Sequence, residues 1–148
     1  GMAQLSERRK YALYWYQPSE DPAVTKKAEE LTFQDPFDQH AGNTETSEMM
    51  DIVPDLVHRE RAGQQSGADQ SRMKGLDNVY SGIWWYARYP NHYSGDGSKA
   101  RREAGKLLLD HEVGQLVETI RKVKADQIVP GLQDQFFRES ENPLKTKQ

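Results

Sequence analysis

Residues 38–50 read DQHAGNTETSEMM, a histidine, a glycine and a glutamate in polar sequence just ahead of an apolar patch. The stretch reads as a loop running into a helix. Asn43 or Thr44 can cap that helix, Met49, Met50, Ile52 and Val53 give it an apolar patch, and Pro54 stops the run. His40 then sits in the loop and Glu45 in the first helical turn, where both can reach one cleft wall. Imidazole and carboxylate are the side chains that a cysteine-free protein uses for metal binding and for general acid–base work. Free N–H groups at the helix start suit an oxyanion, and Gly42 lets the backbone pass close to a bound group. The same residues are also ordinary capping chemistry, with Glu45 favoured near a helix start by the dipole alone. A histidine and a glutamate at this spacing define no metal geometry of their own.

Working outward, YALYWYQ at 11–17 is rich in residues with high strand preference and ends at Pro18, which predicts a strand. AQLSERRK at 3–10 suits a short helix. Residues 22–33 read as a weak helix with Asp21 as N-cap and Pro22 at its first position. The polar stretch 60–78 reads as a flexible loop, and VYSGIWWYARYP at 79–90 as holding a second strand. The strongest helical pattern runs over about 99–124. There Ala100, Ala104, Leu107, Leu108, Val113, Leu116, Val117, Ile120 and Val123 mark one buried face, with Ser98 or Asp96 as cap. Residues 131–148 read as a peripheral tail. The order suggests α/β layering, but two strands make a thin sheet, so either strands are borrowed from another segment or subunit or the sequence holds further strands that its pattern does not mark.

Composition narrows the function classes. A chain of 148 residues is enough for one domain with a core. Three Trp, seven Tyr and four Phe argue against a wholly disordered chain. A net charge of −3 without a basic stripe argues against nucleic acid as a partner. The absence of cysteine leaves any metal to His, Asp and Glu. With no apolar run of membrane-spanning length and no secretory signal, the default expectation is a cytoplasmic protein with no membrane partner. Gly1 ahead of Met2 reads as the remnant of a cleaved tag and is set aside.

Two ordered blocks carry a family resemblance. The run HAG-x-x-ETS-x-M from His40 to Met49, followed by PDLV at 54–57, resembles a conserved block of the creatininase (creatinine amidohydrolase) family. GDGSKARREAGKLLL at 95–109 is similar to that family's closing motif, with Gly95, Asp96, Ala100, Glu103 and Gly105 in register. YALYWYQ resembles the strand ahead of the histidine block. The resemblance implies a three-layer α/β/α Rossmann-like fold and metal-dependent hydrolysis of a cyclic or linear amide by an oligomeric enzyme. It implies His40 as the catalytic histidine and Glu45 as a zinc or manganese ligand or the support of one. Gly42, Trp84, Trp85 and His92 are candidate substrate-binding residues. The aromatic cluster of Trp84, Trp85, Tyr86 and Tyr89 has a second reading as core or interface packing.

The family's Glu-x-His block and its Gly-rich histidine block have no counterpart in this sequence. The chain therefore reads as the C-terminal portion of one creatininase-like domain over 2–148, incomplete at its N-terminus. The missing half or other subunits are its expected partners, beside a small amide substrate and further copies of itself. A divalent metal, zinc or manganese, is expected in the complete enzyme, and this chain alone need not bind one. Gln39 stands where creatinine-hydrolysing members carry an acidic residue, Pro36 and Phe37 where they carry a tryptophan, and Arg101 where the closing motif has threonine. The alternative is a non-catalytic oligomerisation or structural fragment built on the long helix and the aromatic stretch.

Overall fold

The computed structural model describes residues 11–32, 37–65 and 67–146; the helix read at 3–10 and Pro36 lie outside them. The chain divides into two compact units, Ser19–Val113 and Gly1–Pro18 together with Gly114–Gln148.

Within Ser19–Val113, α1 spans Pro22–Leu31, begins as the sequence predicts, and buries Ala28. Asp21 caps it by accepting the N–H of Ala23 at 2.9 Å, and Pro22, which has no N–H to leave unpaired, holds the first position. Helix α2 spans Asn43–Ile52. Asn43 is inside it rather than capping it, and its Nδ2 donates to Thr32 Oγ1 at 2.8 Å, tying α2 to the end of α1. The cap comes from Asp38, whose Oδ2 accepts the Thr44 N–H at 2.7 Å and the Thr44 hydroxyl at 2.8 Å. Short 3₁₀ turns follow at Pro54–Leu56 and Arg59–Gln64. The segment around Asp69 is pinned to the next helix, since Arg88 Nη2 meets Asp69 Oδ2 at 2.8 Å and Gln70 N–H donates to Arg88 O at 2.9 Å.

That helix, α3, spans Trp84–Arg88, so the strand expected at 79–90 is a helix instead. The reason lies in the spacing of the aromatic residues. Trp84 Nε1 donates to Tyr80 Oη at 3.2 Å, and the Trp85 and Tyr89 rings lie 4.9 Å apart, both pairs four residues apart as neighbours on a helix surface are. Tyr89, 1% exposed, anchors the cluster in the core.

The long helix α4 spans Arg102–Ala125. Asp96 caps the 3₁₀ turn Gly97–Lys99 ahead of it, accepting the Ser98 N–H at 2.8 Å. Ser47, 1% exposed, meets the start of α4: its hydroxyl donates to Asn43 O at 2.7 Å and accepts the Arg101 N–H at 3.0 Å. A Ser47→Ala variant leaves that N–H without its acceptor. It is expected to lose about 1–3 kcal/mol in urea unfolding, and an unchanged midpoint would refute this role for the hydroxyl. The face predicted to be buried along α4 is sealed only at its start. Ala100 and Ala104 are 0% and 2% exposed, whereas Val113 and Ile120 are 56% and 44% exposed.

In the other unit, α5 spans Ile128–Ser140, within what reads from sequence mostly as a tail. Asp126 accepts the N–H groups of Ile128 and Val129, both at 3.0 Å, and the Tyr14 hydroxyl at 2.7 Å. The hydrogen bond from Tyr14, followed by those from the two amides, holds the Asp126 carboxyl below its usual range. Residues 11–17, predicted as a strand, form none. They are fastened by side chains, with Tyr16 Oη donating to Gln115 Oε1 at 3.3 Å and Gln133 Nε2 donating to Tyr11 O at 2.8 Å. Strand preference is realised only where a neighbouring strand pairs the backbone. Among the described residues no strand forms, and the β-pairing present is one antiparallel bridge, His40 with Ser94. The sheet layer of the expected three-layer α/β/α arrangement is therefore not found among them.

Candidate functional site

The bridge that joins His40 to Ser94 builds the site. The Gln39 and His40 N–H groups donate to Ser94 O at 2.8 and 3.1 Å, and Ser94 N–H returns to His40 O at 3.0 Å. Ser94 is 0% exposed, and its hydroxyl donates to Phe37 O at 3.2 Å. Nothing in a turn-rich connector marks that serine as a clamp, and sequence reading missed it. It missed Asp38 as well, although an aspartate shortly before a helix start is a signal for capping. On either side of the clamp the backbone enters the left-handed region at non-glycine residues, φ 54° at Ala41 and φ 73° at His92. Such conformations persist only where surrounding structure enforces them.

The clamp brings His92 to His40, with ring centroids 5.6 Å apart and planes at 78°. Trp85 from α3 completes the group, its ring 6.0 Å from that of His40 and its Nε1 donating to His92 Nδ1 at 2.9 Å. From the other side Glu45, in the first turn of α2, sets Oε2 3.5 Å from His40 Nδ1. The same oxygen accepts the Ala41 N–H. Capping and pairing with the histidine, which the sequence leaves as alternatives, are thus combined in one carboxylate.

Trp84 and Gly42, the other candidates, border this group. Trp84 faces Tyr80 and meets Trp85 edge-on at 5.2 Å. Gly42 is buried at the N-cap position of α2, where an added Cβ would lie 2.1 Å from Asp38 Oδ1, so the lack of a side chain there makes room for the capping carboxylate. His58 pairs with Glu60 at 3.3 Å. It lines a hollow of about 1420 Å³ together with Glu45, Arg61, Tyr93 and Asp96. His40 is not part of that lining, so Glu45 is the residue common to the imidazole group and the hollow.

Charge around α2 is unevenly placed. Burial pushes the Glu48 carboxyl above its usual range, and the charges of Glu112, Glu45 and Asp38 push it the same way. The folded state therefore holds this proton more tightly than the unfolded chain does. Stability falls as pH rises from the ordinary glutamate value through the raised folded one, and the penalty is complete above that window. Glu48→Gln is expected to be more stable than the parent above the window and to flatten this pH slope. Urea midpoints from about pH 4 to about pH 8 test this, and a slope like the parent's would refute it.

A divalent cation needs several converging donors. Among the described residues no group of three or more His, Asp or Glu side chains could hold a metal ion. Glu45 Oε2 already serves His40 and the Ala41 N–H, and His92 Nδ1 is taken by Trp85. These donors do not fit a metal cage. No helix among the described residues is long and apolar enough to cross a membrane.

Residues 2–120 match the model of the creatininase family, described as creatinine amidohydrolase. Among curated proteins none matches. Among solved structures the chain is similar to a provisionally assigned creatinine amidohydrolase from Bacteroides fragilis, at 20% identity and a TM-score of 0.51. The match covers 68% of this chain and 42% of that one. At that identity the likeness speaks for a creatininase-like fold alone, and the chain spans less than half of the longer protein.

Proposed function

The chain belongs to the creatininase family, and from that premise we propose that it acts as an amidohydrolase on the C–N bond of a small cyclic or linear amide, His40 and Glu45 forming one wall of the site. The observation that carries this reading is the approach of His40 Nδ1 to Glu45 Oε2 at 3.5 Å, on a loop and helix start whose sequence resembles a block of the family. An ionised carboxylate only accepts hydrogen bonds, so it favours the proton on Nδ1 and leaves the Nε2 lone pair as the base. Nε2 can then take a proton from attacking water and return it to the departing nitrogen.

The family generally depends on a divalent metal. When bound, zinc or manganese polarises the carbonyl and acidifies water. On this reading its ligands, like the missing sheet layer, come from polypeptide outside the described residues. The test is to follow lactams, imides and primary amides by NMR with the chain joined by the polypeptide that supplies the remaining ligands, and with Zn²⁺ or Mn²⁺ added. Protein-dependent C–N cleavage of at least one compound is expected, and no cleavage across the panel sinks the reading.

One observation favours a second reading, a non-catalytic assembly module. Val113, Leu116, Val117 and Ile120 keep 56%, 41%, 38% and 44% exposure along α4, an apolar face suited to association. Oligomers in light scattering together with a blank amide panel would support it.

A further inference from the structure

We infer that His92 is the hydrogen-bond donor for the amide carbonyl oxygen at this site, and that Trp85 is the positioning residue that keeps it a donor. The identity of the ligand rests on the amidohydrolase reading; the protonation pattern of the imidazoles does not.

An indole N–H can only donate. Trp85 Nε1 lies 2.9 Å from His92 Nδ1, so Nδ1 must present its lone pair. A neutral imidazole carries one N–H, and in His92 that hydrogen is left on Nε2. His40 has the opposite arrangement, because the acceptor Glu45 Oε2 stands 3.5 Å from its Nδ1 and favours the proton there. Two histidines with ring centroids 5.6 Å apart thus offer complementary atoms, a lone pair on His40 and an N–H on His92. Amide hydrolysis uses both, a base for the attacking water and a donor for the oxygen that gains charge. No protein group among the described residues pairs with His92 Nε2, and the residue is exposed.

The donor is held in place from both ends. The His92 N–H donates to Tyr89 O at 3.1 Å, and the residue's φ of 73° belongs to the tight turn this makes. Trp85 rests 4.9 Å from the ring of Tyr89, which is 1% exposed. The indole that fixes the tautomer is therefore anchored to the core, and Trp85 acts through His92.

The experiment is a long-range ¹H–¹⁵N correlation spectrum of the labelled chain at about pH 8, where ordinary imidazoles are neutral. His92 is expected as the Nε2–H tautomer and His40 as the Nδ1–H tautomer. Trp85→Phe keeps an aromatic ring and removes the N–H. It is expected to turn His92 into a mixture of tautomers while His40 keeps its pattern. Titration with 2-pyrrolidinone should shift His92 Nε2, and the substitution should weaken that binding by roughly 2- to 10-fold, the worth of one hydrogen bond. His92 protonated at Nδ1 in the parent overturns the inference, as does a phenylalanine variant with unchanged tautomer and unchanged lactam affinity. If that variant does not fold, the parent spectrum alone decides. The expected tautomers without any pyrrolidinone shift overturn the donor role. The expected tautomers with a shift, but no cleavage in the amide panel, sink the hydrolase reading and leave His92 as a carbonyl-binding donor.

Discussion

Alanine in place of His40 is expected to lower amide hydrolysis by about 10²- to 10⁴-fold, the usual contribution of a positioned acid–base group, with a stability change below about 1 kcal/mol. The two effects separate because the residue has two parts with different duties. Its backbone carries the fold, pairing both ways with Ser94, and alanine keeps those groups. Its side chain is 47% exposed and contributes edge contacts to Trp85 and His92 together with the approach to Glu45. Removing the ring therefore removes the base and little packing. Turnover equal to the parent's would end the catalytic assignment. Collapse of the urea midpoint with activity per folded molecule preserved would make His40 a structural residue.

Valine at Gly105 is expected to destabilise the Ser19–Val113 unit by about 3 kcal/mol or more, at and beyond the upper end of ordinary overpacking. A Cβ at this position would lie 2.0 Å from Ser47 O and 2.5 Å from Glu48 N. Both atoms belong to the backbone of α2, so no side chain can swing aside. The helices must separate, or α2 must shift and carry Glu45 away from His40. Gly114, further along α4, has nothing within 4 Å of an added Cβ. Gly114→Ala should therefore gain up to about 1 kcal/mol from helix preference alone. Urea unfolding of both variants measures the contrast. Equal effects would mean that α2 and α4 do not meet at Gly105.

The closing motif is thus legible in part as packing. Gly105 is bare because the α2 backbone lies against it, Ala100 and Ala104 are buried nearby, and Ser47 closes the join through the Arg101 N–H. Asp96 was legible as a cap, though of the 3₁₀ turn ahead of the helix rather than of α4. The strands at 11–17 and 79–90 were misread for two different reasons. At 79–90, pairs of aromatic residues four apart favour a helical turn, a spacing masked by strand-preferring composition. At 11–17, strand preference has no partner among the described residues to act upon.

Local order was written in the chain. The caps at Asp21 and Asp96, the helix after Gly42, the long helix through Leu107 and Leu108, and the nearness of His40 to Glu45 all depend on residues a few positions apart, where short-range sterics and hydrogen bonding decide. The company that His40 keeps was not. Trp85 and His92 lie some fifty positions downstream, and their place beside His40 follows from the pairing of its backbone with Ser94 and from the anchoring of Trp85 on Tyr89. Backbone pairing is blind to side-chain identity, so no spacing rule announces it; only the folded chain determines which imidazole presents a lone pair and which presents a proton.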